Sequence, residues 1–295
     1  MQKYIDQAKQ SLLTQTLYVL ATPIGNLSDI TLRALAVLEK ADLICAEDTR
    51  VSAQLLSAYG LKGKLISVRE HNEAQMVQQV IQALQENKIV VQLSDAGTPA
   101  ICDPGARLVK GVRDAGFSVS PIVGASALVG ALSVAGMNDA QFFFAGFLPP
   151  KSKERQTVLQ SWLKASYTVV AFETPHRIEA TLEDMVTVFG TRRVVLAREL
   201  TKTFETILDG DVAQLLEQVK NDRNQSRGEF VLLIEGVKAE KQTDLTIEAQ
   251  NMAMVLAKHL PTKQAAELTS ELSGVNKKIA YDFIVQSKNS ERGVE

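Results

Sequence analysis

The sequence predicts an α/β protein built from two α/β domains and a small C-terminal helical domain. Three observations carry this. Short β-rich runs alternate with amphipathic segments through most of the chain. The rhythm restarts near Gln141, after "AGMNDA" (135–140), whose Gly, Asn and Asp suit a connection between blocks. Past Gly236 a polar stretch, "VKAEKQTD" (237–244), leads into a segment with helical periodicity throughout. The expected division is a tail over 1–15, domains over 16–136 and 137–237, and a helical domain over 245–295.

In the first block, "TLYVLAT" (16–22), "DLICAED" (42–48), "KLISVRE" (64–70), "KIVVQLSD" (88–95) and "FSVSPIV" (117–123) read as buried strands. Between them lie amphipathic segments. Ser28 or Asp29 is positioned to cap one that carries Ala34, Leu35 and Leu38. Another, over about 73–85, has Met76, Val77, Val80, Ile81 and Leu84 as its apolar stripe. Nearly continuous apolar strands alternating with helices imply a mainly parallel sheet covered by helices. The second block has expected strands at 141–148, 167–174, 193–200 and 229–236.

In the helical region, Ala265, Leu268, Thr269 and Leu272 share one face. Ser273-Gly274 makes a tight turn, and Ile279, Ala280, Phe283 and Ile284 form a second face. This pattern fits a helix-turn-helix or a helical hairpin packed on the body. Lys263, Lys277 and Lys278 favour a nucleic-acid role.

Composition narrows the class. Of 295 residues, 45% are apolar, enough for real cores, and the net charge of −2 excludes a polycation but not a local basic patch. Cys45 and Cys102 lack metal-like spacing and no disulfide framework is suggested, which fits a reducing compartment. No apolar run approaches membrane-spanning length, and the polar "MQKYIDQAKQ" has no signal core. The expected location is cytoplasmic, with no membrane association.

Several familiar sites are missing. "GLKGK" (60–64) has neither the spacing nor the hydroxyl of a phosphate loop, and no GxGxxG follows the first strand. His71, His176 and His259 form no zinc motif, so no metal is expected. "GASAL" (124–128) has Leu128 where a nucleophile elbow needs glycine, which argues against Ser126 as an acyl-transfer nucleophile.

Three loops at strand C-terminal ends remain: "ATPIGNLSDIT" (21–31), "VQLSDAGTPAICDPG" (91–105) and "IVGASAL" (122–128). Ligands of open α/β sheets bind at those ends. Two acidic runs, "AEDTR" (46–50) and "REHNE" (69–73), fall at neighbouring strand ends and can converge with Asp95 and Asp103. Glu47 to Arg50 also suit a structural ion pair or a helix cap. In the 91–105 stretch, Asp103 before Pro104 suits a cap for the next helix or a group facing a substrate.

"LYVLATPIGNLSDITLRALAVLEKADLICAEDTR", "LSDAGTPAICDPG", "GFLPPKSKER" and "LARELTKTFET" resemble the tetrapyrrole methylase superfamily. Within it they resemble the bacterial branch that methylates small-subunit ribosomal RNA. The resemblance runs from about Thr16 to the end of the chain. It implies methyl transfer from S-adenosylmethionine to the ribose 2′-oxygen of cytidine 1402 in 16S rRNA of the small ribosomal subunit, by a homodimer. The alternatives are a tetrapyrrole-type small-molecule methyltransferase and a non-catalytic ribosome-binding protein.

The resemblance also implies a cofactor cleft between the two α/β domains. Carried across by motif, Pro23 and Gly25 lie in the first cofactor loop, and Ser94 and Asp95 replace a Gly-Asp pair. Ile101 matches an apolar contact, Ser126 and Ala127 the small pair beside the methionine part, and Phe172 and Leu200 the adenosine side. Where many members have Pro-Gly-Pro, this chain has Val123-Gly124-Ala125. A ribose hydroxyl is a weak nucleophile, so a general base is expected, from among Glu47, Asp48, Asp103 and His71. Arg50, Lys151, Lys153, Arg155, Lys277 and Lys278 suit RNA phosphates.

Overall fold

A computed structural model describes residues 1–69, 71–137, 141–222, 224–237 and 245–292. Met1–Val237 form one compact unit and Lys238–Glu295 a second. The first unit carries two five-stranded sheets.

The first sheet contains β1 (Thr16–Leu20), β2 (Leu43–Ala46), β3 (Leu65–Ser67), β4 (Ile89–Leu93) and β5 (Ser118–Ile122), in the order β3-β2-β4-β1-β5. All its pairings are parallel. Its central strands are buried along almost their whole length, because helices cover both faces. On one face, Ala34, Val37 and Leu38 of α2 (Leu32–Lys40) and Leu56 of α3 (Thr49–Ala58) pack on Ile44, Val91 and Leu20. On the other, Val80 and Leu84 of α4 (Glu73–Gln85) meet Leu108 and Val112 of α5 (Ala106–Asp114). Every strand of this sheet therefore delivers its following loop to the same edge.

Two local expectations change. The cap of α2 is Thr31, whose hydroxyl accepts from the Ala34 N–H at 3.1 Å; neither Ser28 nor Asp29 does this, since both lie in a short 3-10 turn, Leu27–Asp29. The 1–15 segment, expected as a tail, forms helix α1 (Gln2–Gln10). It buries Ile5 and binds α2 through a 2.6 Å Lys9–Glu39 bridge.

The second sheet contains β6 (Phe142–Phe147), β7 (Thr168–Glu173), β8 (Arg193–Arg198), β9 (Thr206–Asp211) and β10 (Phe230–Ile234), in the order β6-β7-β10-β8-β9. Only β6 and β7 run parallel; the other pairs are antiparallel. β9 was not among the expected strands. It is an edge strand that alternates between half-buried and exposed residues, so it lacks an apolar run.

Helix α6 (Ala127–Val134) follows β5 yet packs on the second sheet. Ala127 and Ala131, continued by Ala135, bring it down on Val170, Val195, Ala197, Val231 and Leu233. Four-residue spacing of alanines gives a flat face for close approach. The opposite face of the sheet is covered by α7 (Ser152–Ser161), α8 (Ile178–Phe189) and α9 (Val212–Asn221). The expected boundary at 136 thus falls after a helix whose core contacts belong to the second sheet.

Arg155, expected to face phosphate, is 3% exposed on α7. It pairs with Asp184 of α8 at 2.5 Å and donates to the Pro149, Pro150 and Ala180 carbonyls. Burial alone would push the Asp184 carboxyl up, but hydrogen bonds from Gln156, Ser152 and Arg155 outweigh it and hold it below its usual range. Arg155 is a structural tie for the 149–150 turn, and its burial corrects the RNA assignment.

The second unit is a helical cluster of α10 (Ile247–His259), α11 (Thr262–Ser273) and α12 (Lys277–Arg292). Alanines 249, 253, 257, 265, 266 and 280 pack with Val275 and Ile284 in its core. Gly274 ends α11 in the left-handed region at φ +73°, where a side chain is disfavoured. The expected turn is therefore present.

Removing Arg155 strands the buried Asp184 carboxylate. Arg155→Ala should cost about 3–5 kcal/mol in denaturant unfolding, whereas exposed Lys153→Ala should cost less than about 0.5 kcal/mol. Equal effects would remove the structural reading of Arg155.

Candidate functional site

Three loops meet at the C-terminal edge of the first sheet. Thr22 and Gly97 form a reciprocal backbone bridge, with N–H to O distances of 2.8 and 3.1 Å. Thr98 donates its hydroxyl to the Ala125 carbonyl at 3.3 Å. Gly124 lies so close to Ala21 that an added Cβ would be 3.1 Å from the Ala21 Cβ. The 21–31, 94–105 and 123–126 loops are thereby joined into one wall.

The 94–105 loop is conformationally demanding. Ala100 and Cys102 hold φ values of +68° and +63°. Left-handed backbone at non-glycine residues costs on the order of 1 kcal/mol each and persists only where surrounding contacts enforce it. Gly105 closes the loop at φ +138°, where a Cβ would overlap the buried Gln92 amide at 1.6 Å. That amide donates to the Pro104 carbonyl at 3.2 Å.

Asp103 does not cap α5. The N-cap position is Gly105, and the buried Glu73 carboxylate accepts the Leu108 N–H at 2.8 Å instead. With the helix start satisfied from α4, Asp103 lines a cavity of about 660 Å³ between the loop wall and the second sheet. It shares a hydrogen bond with Ser94.

Glu47 and Asp95 line the same cavity. Two backbone bonds tie their loops together: the Asp95 N–H donates to the Glu47 carboxylate, and the Asp48 N–H donates to the Asp95 carboxylate at 3.1 Å. Burial, then repulsion from Asp95, pushes Glu47 up from its ordinary value. Burial, then repulsion from Glu47, pushes Asp103 up to about 6. The wall therefore has negative character and at least one carboxyl poised to exchange a proton near neutrality. Among the described residues no group of three His, Cys, Asp or Glu side chains is arranged to hold a metal ion.

The opposite wall comes from the second sheet. Phe147, Phe172, Leu200, Ala197 and Val231 make it largely apolar. Phe172 is held edge-on by Phe144 and Phe147, with ring centroids 4.9 and 5.7 Å away. At the rim, Lys202 bridges Glu199 at 2.7 Å and Glu229 at 3.1 Å. Burial would lower the Lys202 ammonium, but these two carboxylates raise it above its usual value.

Close contacts tie the walls together. A Cβ at Gly25 would lie 2.4 Å from Lys202 Cγ, and one at Gly146 would lie 3.2 Å from Cys102 Sγ. Gly146 sits at a register shift in β6 with φ +67°. The Cys102 sulfur also accepts the Phe147 N–H.

Of the nine residues expected at a cofactor, Asp95, Ile101, Ser126, Ala127, Phe172 and Leu200 line the cavity. Pro23 and Ser94 are buried behind it, and Gly25 packs on Lys202. Of the four base candidates, Glu47 and Asp103 line it. Asp48 caps α3 and binds Arg50 at 2.5 Å; that guanidinium holds its carboxyl well below the usual range. His71 is exposed in the turn before α4 and does not line the cavity. Lys151 binds Glu154 at the surface, Lys153 is exposed, Lys277 binds Glu267 and Lys278 is exposed in the second unit. Sequence reasoning did not single out Thr98, Glu199, Lys202 or Glu229. Glu199 and Lys202 stand inside the quoted "LARELTKTFET", so the motif held the signal, whereas the contribution of Glu229 depends on strand pairing.

Residues 16–216 match the family model described as Tetrapyrrole (Corrin/Porphyrin) Methylases, and residues 243–288 match one described as RsmI C-terminal HTH domain. Ribosomal RNA small subunit methyltransferase I of Neisseria meningitidis serogroup B is 57% identical over 288 residues, covering 98% of this chain and 99% of that protein. The protein of the same name from Escherichia coli O157:H7 is 45% identical over 273 residues, covering 92% and 95%. Among solved structures, uroporphyrin-III-C-methyltransferase from Thermus thermophilus has a TM-score of 0.51 at 21% identity, covering 75% of this chain and 94% of that one. Cobalt precorrin-4 methyltransferase has a TM-score of 0.55 at 17% identity, covering 75% and 95%. These two share the fold. The family match and the near full-length identities establish that this chain belongs to the tetrapyrrole methylase family, in its ribosomal RNA small subunit methyltransferase I branch.

Proposed function

We propose that this protein transfers a methyl group from S-adenosylmethionine to the ribose 2′-oxygen of cytidine 1402 in 16S rRNA. The observation that carries this is its similarity, over nearly the whole chain, to proteins named for ribosomal RNA small subunit methylation. Substrate location then makes the cytoplasm its place of action.

The cleft suits the donor's chemistry. Apolar Phe172, Leu200 and Ile101 offer walls for a flat adenosine, and Ser126 and Ala127 leave backbone room at the start of α6. The Glu47–Asp95–Asp103 wall favours a cation over an anion. When bound, S-adenosylmethionine supplies an electrophilic methyl group on a positive sulfur. Asp95, fixed by the Asp48 N–H, orients the donor. Asp103 accepts the proton of the ribose hydroxyl, because a carboxyl near 6 is ionised at neutral pH yet more basic than an ordinary aspartate. Glu47 raises that basicity by repulsion. Excluding water and aligning the reactants supply the remaining acceleration.

A homodimer is part of this proposal. Helix α6 has little polar surface: its alanines bury against the second sheet while Val129 and Val134 stay 60% and 54% exposed. Phe142 and Phe143 are also exposed on the edge strand β6, and Val123 just past the edge strand β5. A helix apolar all round implies cover on its second side. Arg50, Lys151 and Lys153 in the first unit, and Lys277 and Lys278 in the second, are proposed to contact RNA.

The primary test is incubation with labelled donor and small ribosomal subunits or their RNA, followed by mapping of the modified nucleotide. Label at the cytidine ribose is expected; no label from folded, donor-binding protein would refute the reading, and methylation of a tetrapyrrole instead would redirect it.

Three variants probe its parts. Asp95→Ala should weaken donor binding by calorimetry by about tenfold or more, and Lys153→Ala by less than about twofold; the reverse order would undo this division of labour. Wild-type single-turnover rate should rise with pH through about 6, and Asp103→Asn should abolish that rise. A folded pKa raised above the unfolded value makes Asp103 favour the native state below pH ~4 and weaken it above about 6. Asp103→Asn should therefore raise Tm at pH 7 while slowing the reaction. A lowered Tm at pH 7 with normal activity would contradict both roles. Sedimentation should show a dimer that Val129→Glu dissociates; a monomeric wild type would count against the dimer.

A further inference from the structure

Four arginines follow strands β1 to β4, one after each, and so lie at the C-terminal edge of the first sheet, the edge that carries the acidic wall. Arg33, Arg50 and Arg107 each occupy the second residue of a helix, α2, α3 and α5 respectively, and all three are exposed. None of those helices has an acidic residue in its first turn. Cations at that end oppose the helix dipole, which favours anions there and cations at the far end. Arg113, in the last turn of α5, occupies the favourable place. Arg69, also exposed, follows β3 and donates to the Glu47 carbonyl at 3.3 Å, beside the carboxylate wall. Its turn places Glu73 under the start of α5, since the Glu73 N–H donates to the Arg69 carbonyl and the Glu73 carboxylate receives Leu108. Glu73 thus ties the Arg69 turn to the start of α5, where Arg107 stands.

Arg33 and Arg107 make no ion pair among the described residues. Arg50 has the Asp48 cap of α3 as its partner, but placing Arg33 and Arg107 against the dipole gives no gain in stability, so an external anion is the better account of those two. The cavity at that edge cannot supply one, because its Glu47–Asp95–Asp103 wall repels phosphate. We infer that Arg33, Arg69 and Arg107 form, with Arg50, a phosphate-binding rim that holds the RNA strand on both sides of the target nucleotide. The acidic cleft admits the uncharged nucleoside and the rim takes its flanking phosphates. With a net charge of −2 the protein as a whole does not draw RNA, so local basic groups supply the electrostatic attraction, this rim together with the lysines proposed above. The inference rests on the RNA reading proposed above.

The test is binding of a small-subunit RNA fragment across a salt series, using full-length Arg33→Gln/Arg69→Gln/Arg107→Gln, the Arg33→Gln/Arg107→Gln double variant and Arg113→Gln. Loss of three single-strand phosphate contacts should lower the slope of log affinity against log salt by about 2, and loss of two by about 1.4. At physiological salt the triple variant should bind tens of fold more weakly, by the same relation. The loss should fall on KM for RNA, with donor affinity kept. Arg113→Gln should match wild type. Because Arg33 and Arg107 oppose the dipole, the double variant should keep or raise Tm, whereas residues with a structural role would lower it. Wild-type slope and affinity in the triple variant, with wild-type methylation intact, would overturn the rim alone. A wild type that neither binds nor methylates RNA would overturn the functional reading and the rim with it.

Discussion

Contact between the 94–105 loop and the second sheet, at almost backbone distance, is the constraint from which the site follows. Cys102 packs on Gly146, where an added Cβ would crowd its sulfur at 3.2 Å, and Lys202 lies across Gly25, where one would overlap Lys202 Cγ at 2.4 Å. Helix α6 adds a larger tie, since it leaves the first sheet and buries its alanines on the second. These contacts hold an acidic wall from one sheet opposite an aromatic wall from the other. Neither sheet alone contains both surfaces.

The acidic wall sets function against stability. Three carboxylates share a partly buried edge, and burial first, then their mutual repulsion, raises the Asp103 and Glu47 carboxyls. Backbone N–H groups of Asp95 and Asp48 offset part of that cost. The left-handed residues 100 and 102 add strain in the same loop. Strain and like-charge crowding at one strand-end loop, in a protein whose buried Arg155 and Glu73 are fully partnered elsewhere, mark a surface shaped by its ligand.

Much of this was legible in the sequence, for physical reasons. The central strands β1, β2 and β4 are buried on both faces, so they appear as unbroken apolar runs. The strand-end loops carry glycines and carboxylates in patterns that buried elements do not need. Edge strand β9 was illegible because its burial alternates with polar residues, and α1 because one buried isoleucine and a bridge to α2 hold it. Arg155 looked like surface charge because its partner Asp184 is distant in sequence. Asp103 suited either a cap or a group facing a substrate, and the choice depends on Glu73, from another helix, which accepts the Leu108 N–H. The fold family could be read because its motifs are local; the partition of the carboxylates could not, because it depends on pairings between strands.

The central claim is that one ligand site is shared by two sheets. Hydrogen exchange with and without S-adenosylmethionine tests it most directly. The account predicts slower exchange, on donor binding, both in the 94–105 loop and in residues 199–202 and 228–231 across the cleft. Protection confined to one of these walls, with the other unchanged, would contradict it.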